Sequence, residues 1–251
     1  MCCPPAPSSR CGGRRSPACR TPTTWQTGSP RSVAEARWRL AVFDFDGTLA
    51  DSFPWFRAAL PETAARFGFH SPAASELEAL RGCDSREILR RLAVPAWRLP
   101  AIVAHLRARK RAAAGEIPLF PGVPEMLAAL RLAGMPVAIA SSDSEASIRM
   151  TLGREAGRIG AYACGASLFG KPPRLRGLLR QAGLAPAQTL YIGDELRDAE
   201  AARAVGMGFA AVSWGYARPE ALAATAPLAL FRSVAEIAPF CAGSAASSAE
   251  S

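Results

Sequence analysis

The strongest structural signal in the sequence is a short apolar run at residues 40–49, LAVFDFDGTL. An apolar run of this length that ends in a glycine turn is typical of a strand buried on both faces of a parallel sheet. Helices must cover both faces of such a sheet. The run therefore predicts an α/β fold whose first core strand lies at residues 40–49.

The second half of the chain alternates between helical and strand-like patterns. We predict helices at 123–133, 144–152, 173–182 and 195–204, and strands at 135–142, 161–164, 189–193 and, as the last one, 207–213. This alternation implies right-handed crossovers and a doubly wound, Rossmann-like parallel sheet. Ligands bind such sheets at the carboxyl ends of the strands.

A helical segment interrupts the α/β pattern directly after the first strand. Residues 52–115 contain helix-like stretches separated by proline and glycine, without a convincing strand among them. We therefore predict an α/β core at 39–51 and 116–240, with a helical cap inserted at 52–115. The flanks, a basic extension at 1–38 and a low-complexity tail at 241–251, are predicted to be disordered.

The net charge of +9 does not indicate a nucleic-acid-binding protein. Residues 1–39 hold seven arginines against one acid, which leaves 23 basic and 20 acidic residues in the rest of the chain. A near balance of this kind argues against a groove for a phosphate backbone. Seven scattered cysteines without a CxxC pair favour reduced thiols and a cytoplasmic protein. No apolar run is long enough to span a membrane, and the oligomeric state stays open.

Two aspartates, Asp44 and Asp46, flank Phe45 at the end of the predicted first strand. Residues two apart on a strand point to the same side, so both carboxylates are expected at one small site. Burying two like charges is costly unless a cation offsets them. Because Mg²⁺ prefers oxygen ligands, the pair indicates a magnesium site, and Gly47 permits the tight turn that follows.

The segment DFDGTLADS at 44–52 resembles the first motif of the haloacid dehalogenase superfamily. The resemblance implies that Asp44 attacks phosphorus and forms an aspartyl phosphate. It also implies that Asp46 protonates the leaving oxygen and then acts as a base, with Thr48 supporting the site. A carboxylate suits this chemistry, since it needs no separate base to become nucleophilic.

Three further motifs of the superfamily follow in the required order. Ser141, after the strand VAIA, resembles the hydroxyl that binds phosphoryl oxygens, with Ser142 beside it, although SSDS is also an ordinary helix cap. Lys171 in FGKPP resembles the ammonium that neutralises charge between nucleophile and phosphate. YIGDELRD at 191–198 resembles the GDxxxD motif, in which Asp194 holds the metal and Asp198 supports the site. The resemblance thus implies Mg²⁺ on the Asp44 side chain, the Asp46 main-chain carbonyl and Asp194.

The helical insertion between the first and second motifs resembles that of phosphoglycolate phosphatase-like members, in which it forms a lid. Arg81 and Arg86, in RGCDSREIL, are candidates for binding a distal anionic group of the substrate, and surface helix charges explain them as well. The resemblance predicts a Mg²⁺-dependent phosphatase for a small phosphorylated metabolite, a phosphoglycolate-like monoester.

Other functions remain open at this point. A phosphomutase shares the motifs, and a phosphonatase would need a lysine of the insertion as a Schiff base, for which only Lys110 is present. A dehalogenase usually lacks the second aspartate, which Asp46 supplies here. From another class, a binding or regulatory protein with the same fold and no turnover is possible, but all the motif side chains are intact.

Overall fold

The computed structural model describes residues 38–165 and 170–243. Six strands form one parallel sheet in the order β3-β2-β1-β4-β5-β6. The strands are β1 (Leu40–Phe43), β2 (Val137–Ala140), β3 (Ala161–Ala163), β4 (Thr189–Gly193), β5 (Gly208–Val212) and β6 (Leu230–Phe231). The prediction of a doubly wound parallel α/β fold is confirmed.

Ten α-helices lie within the described residues. Four of them occupy the interval between β1 and β2 and are called the helical insertion below: α1 (Phe53–Phe67), α2 (Ala74–Leu80), α3 (Ser85–Arg91) and α4 (Leu99–Ala112). The other six are α5 (Val123–Leu132), α6 (Glu145–Leu152), α7 (Lys171–Ala182), α8 (Leu196–Val205), α9 (Pro219–Ala223) and α10 (Ile237–Cys241). Within the described ranges, no helix is both long and apolar enough to cross a bilayer.

The sheet is covered on both faces, as its apolar strands require. Along β1, Ala41 and Phe43 pack into one hydrophobic cluster, while Leu40 and Val42 pack into the cluster on the opposite face. All four residues are fully buried. Side chains that alternate between two apolar layers explain why this strand reads as a continuous apolar run instead of an alternating one.

The strand order reverses direction between β1 and β4, which are neighbours in the sheet. Phe43 pairs with Ile192 in register, and the amide of Asp44 donates to the carbonyl of Ile192 at 2.8 Å. The loops after the two strands therefore start side by side. This reversal is the place at which open α/β sheets bind their ligands.

Two strand predictions are corrected. The first strand ends at Phe43, not at residue 49, because the chain turns after it and pairs Asp46 with Ala50 in an isolated bridge. Strand alternation therefore does not set the directions of Asp44 and Asp46. The strand at 208–212 is not the last, since β6 follows it; a two-residue edge strand has no periodic signal to find.

The ends of the chain are described only in part. The predicted N-terminal extension at 1–38 lies outside the described residues apart from Trp38, which packs into the core. The predicted tail at 241–251 likewise lies outside them from residue 244 onward. Cys241 itself ends α10 and is buried.

Candidate active site

Asp44 directly follows β1 at the reversal of strand order, and 3% of its surface is exposed. Its Oδ1 accepts from the amide of Phe45 at 2.8 Å, and its Oδ2 accepts from the Lys171 ammonium at 2.6 Å. Burial raises the pKa of Asp44 to about 7, although Lys171 opposes the rise. The Lys171 contact leaves Asp44 oriented and close to a positive charge.

Lys171 begins helix α7 and is itself buried, with 3% of its surface exposed. The two prolines that follow it occupy the first turn of the helix, where a missing amide proton costs nothing. Its ammonium also donates to Asp198 Oδ1 at 2.5 Å. Burial disfavours the charged amine, but Asp198 and Asp44 outweigh it and hold the pKa of Lys171 well above its ordinary value. The amine therefore stays charged.

Asp198, fully buried in the first turn of α8, holds Lys171 in place. Its Oδ1 also accepts from the Tyr191 hydroxyl at 3.2 Å. Its Oδ2 accepts from the amides of Asp194 and Glu195, at 3.2 and 3.0 Å. Both oxygens are thus engaged, and they connect the lysine to the loop after β4.

Asp194 follows β4 and is fully buried. Its Oδ1 accepts from Thr48 Oγ1 at 2.7 Å, and its Oδ2 accepts from the Tyr216 amide at 2.8 Å. Burial and the neighbouring acids Glu195 and Asp44 raise its pKa well above the usual range. A Cβ added at Gly215 would lie 2.2 Å from the Asp194 Cβ, so the backbone approaches this carboxylate as closely as glycine permits.

The carboxylates of Asp44, Asp194 and Asp198 offer oxygens that lie within 4.8 Å of one another. The two partners of Asp194 named above, a hydroxyl and an amide, carry no charge. A set of buried, closely spaced carboxylate oxygens fits a hard divalent cation such as Mg²⁺. Since Asp198 already binds Lys171 and two amides, Asp44 and Asp194 are the carboxylates best placed for the ion.

Asp46 lies apart from this cluster and pairs with a residue of the helical insertion. Lys110, in the last turn of α4, donates hydrogen bonds to Asp46 Oδ1 and, at 2.5 Å, to Asp143 Oδ2. Burial lowers the pKa of Lys110, but Asp46 and Asp143 outweigh this and leave it above its ordinary value. Sequence reasoning missed this contact, because nothing local links α4 to positions 46 and 143.

The two serines after β2 have different surroundings. Ser141 is buried, with 1% exposed, and its Oγ accepts from the Asp143 amide at 3.1 Å. Ser142 lines the cavity in front of the site. Helix α6 is capped by Ser144, whose Oγ accepts from the Ser147 amide at 3.2 Å, so the ordinary capping role belongs to another residue.

The two arginines proposed for substrate binding lie in different places. Arg81 lines the cavity, and its guanidinium donates to the carbonyls of Tyr216 at 2.9 Å and Gly215 at 3.0 Å. Arg86 is exposed in the first turn of α3 and does not line the cavity. Their roles toward substrate remain predictions.

Comparison with known proteins agrees with this geometry. The sequence model of the haloacid dehalogenase-like hydrolase family matches residues 41–212 of this chain. A phosphoglycolate phosphatase of Synechococcus elongatus is 35% identical over 188 residues, 74% of this chain and 89% of that protein. The tyrosine-protein kinase PtkA of Mycobacterium tuberculosis is 30% identical over 188 residues, 72% of this chain and 64% of that protein. The crystal structure of CbbY from Rhodobacter sphaeroides in complex with phosphate superposes with a TM-score of 0.63 at 25% identity, covering 79% of this chain and 96% of that one.

The doubly wound sheet, with buried acids and a lysine at its strand reversal, defines an α/β protein with a candidate active site at that reversal. The chain belongs to the haloacid dehalogenase-like hydrolase family. The sequence prediction of a phosphatase of this superfamily is confirmed at the level of enzyme class.

Proposed function

We propose that this enzyme is a Mg²⁺-dependent phosphatase that hydrolyses a small phosphorylated metabolite through an aspartyl phosphate on Asp44. One observation carries the proposal: the Lys171 ammonium lies 2.6 Å from Asp44 Oδ2, in a buried cluster that also contains Asp194 and Asp198. A carboxylate next to a fixed cation and a candidate metal site is equipped to attack a phosphoryl group.

In the first half of the reaction, a carboxylate oxygen of Asp44 attacks phosphorus while the bond to the leaving oxygen breaks. Asp46, in its protonated form, gives its proton to that oxygen, so the product leaves as an alcohol. Lys171 balances the negative charge that gathers between Asp44 and the phosphoryl oxygens. Ser141, buried directly after β2, donates a hydrogen bond from its hydroxyl to one of these oxygens.

In the second half, water attacks the phosphorus of the aspartyl phosphate and its proton passes to Asp46. The bond between phosphorus and Asp44 breaks, which releases inorganic phosphate and restores the carboxylate. Mg²⁺, held by Asp44, Asp194 and the main-chain carbonyl of Asp46, would supply positive charge for the phosphoryl oxygens. Asp198 and Thr48 keep Lys171 and Asp194 in position through their hydrogen bonds. The helical insertion serves as the lid over this site.

The names of the relatives support a small phosphorylated substrate. Several are phosphoglycolate phosphatases, which makes 2-phosphoglycolate the first compound to assay. Another relative is named as a kinase, so fold and ancestry alone do not decide the acceptor of the phosphoryl group. The release of inorganic phosphate, measured directly, distinguishes transfer to water from transfer to a protein or a sugar.

The phosphonatase alternative loses support from the surroundings of Lys110. Schiff-base formation requires a neutral amine, whereas Asp46 and Asp143 hold the pKa of this lysine above its ordinary value. No contact of the described residues favours a phosphomutase over a hydrolase. A protein without turnover would have no need for Lys171 and Asp198 to be buried with Asp44 at such short distances.

The decisive assay is hydrolysis of p-nitrophenyl phosphate with Mg²⁺, repeated with EDTA and with Asp44→Asn. We expect EDTA and Asp44→Asn each to abolish turnover, and acid-quenched wild-type protein to carry a covalent phosphate that Asp44→Asn lacks. Asp84→Asn is the matched control, since Asp84 is an exposed helix cap and asparagine caps equally well. Full activity of Asp44→Asn, or equal rates with and without EDTA, would contradict the proposal.

A further inference from the structure

A cavity that is lined by Asp46 at one end extends far into the helical insertion. It has a volume of about 300 Å³, and all four insertion helices contribute to its walls. Ligand sites in proteins are usually concave spaces of this size, mostly apolar and with a few polar groups that fix the orientation of the ligand.

The lining of this cavity is polar at one end and mainly apolar along the rest. At the catalytic end the lining includes Asp46, Lys110, Ser142 and Asp143. Within the insertion the lining is mainly apolar, with aliphatic side chains from all four helices: Leu60, Leu80, Leu89, Ile102, Val103 and Leu106. A ligand that fills the cavity thus meets charge at one end and hydrocarbon along the rest of its length.

Four cations line the cavity, and each already lies beside a protein group. Arg197 donates to Glu195 at 2.5 Å, and Arg107 lies near enough to Asp143 for its charge to oppose the rise in the pKa of that acid. Arg81 donates to the carbonyls of Tyr216 and Gly215 and to Glu78. Lys110 donates to Asp46 and Asp143. A second anionic group on the substrate, such as the carboxylate of 2-phosphoglycolate, would compete with these protein groups for the cations. A hydrocarbon group would not compete with them.

We infer that the preferred substrate is a phosphate monoester whose leaving group carries an apolar body, seated between the helices of the insertion. The inference rests on the proposed function and narrows its substrate class. The phosphate and the ester oxygen occupy the charged end, where Asp44 attacks and the bond from phosphorus to the ester oxygen breaks. The apolar alcohol is the product that leaves through the insertion.

A homologous series of alkyl phosphates tests the inference without changing the chemical step. Ethyl, butyl and hexyl phosphate have leaving alcohols of nearly equal acidity, so differences in kcat/KM report on binding of the chain. We expect kcat/KM to rise about fourfold per added methylene until the cavity is full. Hexyl phosphate should also exceed 2-phosphoglycolate. A flat or falling series, or a preference for 2-phosphoglycolate, would overturn the inference.

A pair of variants on α4 locates the effect. Val103→Trp places a large side chain in the cavity, and Ala104→Trp places the same side chain on the exposed face of the helix. We expect Val103→Trp to lower kcat/KM for hexyl phosphate by about tenfold or more, with a smaller change for ethyl phosphate. Ala104→Trp should leave both unchanged. Equal effects of Val103→Trp on the two substrates would show that the alkyl group does not bind in this cavity, which would overturn the inference.

Failure of the inference can be told apart from failure of the proposed function. If the enzyme hydrolyses p-nitrophenyl phosphate but kcat/KM is the same for all the alkyl phosphates, the inference of an apolar leaving group fails and the proposed function stands. Absence of turnover for every phosphate ester in the presence of Mg²⁺ removes the proposed function, and the inference with it.

Discussion

Lys110, in the last turn of α4, donates a hydrogen bond to Asp46, in the loop after β1. Its side chain is 7% exposed, and the same ammonium also binds Asp143, in the loop after β2. The contact joins the helical insertion to the residue proposed as general acid and base. Because its partners are largely removed from water, we expect this ion pair to contribute more to stability when one partner is lost than the exposed ion pairs of the insertion helices do.

We expect Lys110→Met to lower the free energy of unfolding by about 3–5 kcal/mol, because it leaves the buried carboxylate of Asp143 and the partly buried carboxylate of Asp46 without their cation. Denaturation in urea measures the change. Arg109→Met is the matched control: Arg109 pairs with the exposed Glu62, so its loss should cost about 1 kcal/mol or less. Adding Asp143→Asn to Lys110→Met should recover part of the stability. Equal stabilities of the two single variants would refute this account.

Asp198→Asn should lower kcat about 10- to 100-fold, as is typical when a group that orients a catalytic residue is lost. Asparagine removes the charge that holds Lys171, and it keeps only one oxygen for the several donors now bound to Asp198. Phosphatase kinetics at saturating Mg²⁺ measure the effect.

Tyr191→Phe serves as the control for this change. It removes only the longer hydroxyl contact, 3.2 Å, from the same carboxylate. We expect a clearly smaller loss of kcat than for Asp198→Asn. If the two variants lose the same activity, the lysine contact is not the important one.

Gly215→Ala should weaken Mg²⁺ binding, because the new methyl group would lie 2.2 Å from the Asp194 Cβ and must displace that side chain. Isothermal titration calorimetry with Mg²⁺ measures the affinity. Gly177→Ala, inside α7, makes the same chemical change where the nearest atom is 4.0 Å away. It should add about 0.5–1 kcal/mol of stability and leave the affinity intact. Unchanged Mg²⁺ binding in Gly215→Ala would argue against Asp194 as a ligand.

The stability of the metal-free protein should fall as the pH rises. Burial raises the pKa of Asp44 to about 7, so the folded state binds this proton more tightly than the unfolded state does. The stabilisation is complete below the unfolded pKa, about 4, and is lost as the pH rises through about 7. Mg²⁺ binds the ionised form and offsets the loss. The increase in Tm on adding Mg²⁺ should therefore be larger at about pH 8 than at about pH 5.

Differential scanning fluorimetry at the two pH values measures this difference. In Asp44→Asn the side chain no longer titrates, so the pH dependence of the Mg²⁺ effect should become weaker. A wild-type protein that gains the same Tm at both pH values would contradict the assignment of Asp44 to the metal site.

The cluster formed by Asp44, Lys171 and Asp194 could be predicted from the sequence because each of these residues stands beside a strong local signal. Asp44 and Asp194 follow apolar strands, and Lys171 is the first residue of a helix and is followed by two prolines. In a parallel sheet the carboxyl ends of the strands share one edge, so topology alone brings these residues together. The resemblance to a known family then supplied their roles.

The contacts made by the helical insertion could not be predicted in this way. Lys110 reaches Asp46 across 64 positions, and Arg81 reaches the Tyr216 carbonyl across 135. Both contacts depend on how the helices of the insertion pack against the core. No sheet aligns these helices, and hydrophobic periodicity does not specify their packing. The cavity could not be predicted either, because its walls combine four insertion helices with residues of the core. Strand β6 was missed because two edge residues carry no pattern.

The reversal of strand order between β1 and β4 also brings together residues that are far apart in the chain. Thr48 and Asp194, which share a hydrogen bond, are separated by 146 positions. A ribosome that has translated the insertion and the first three strands has made Asp44, but not yet its partner acids on the adjacent strand. The candidate site is therefore complete only after β4 and the start of α8 have been made and folded.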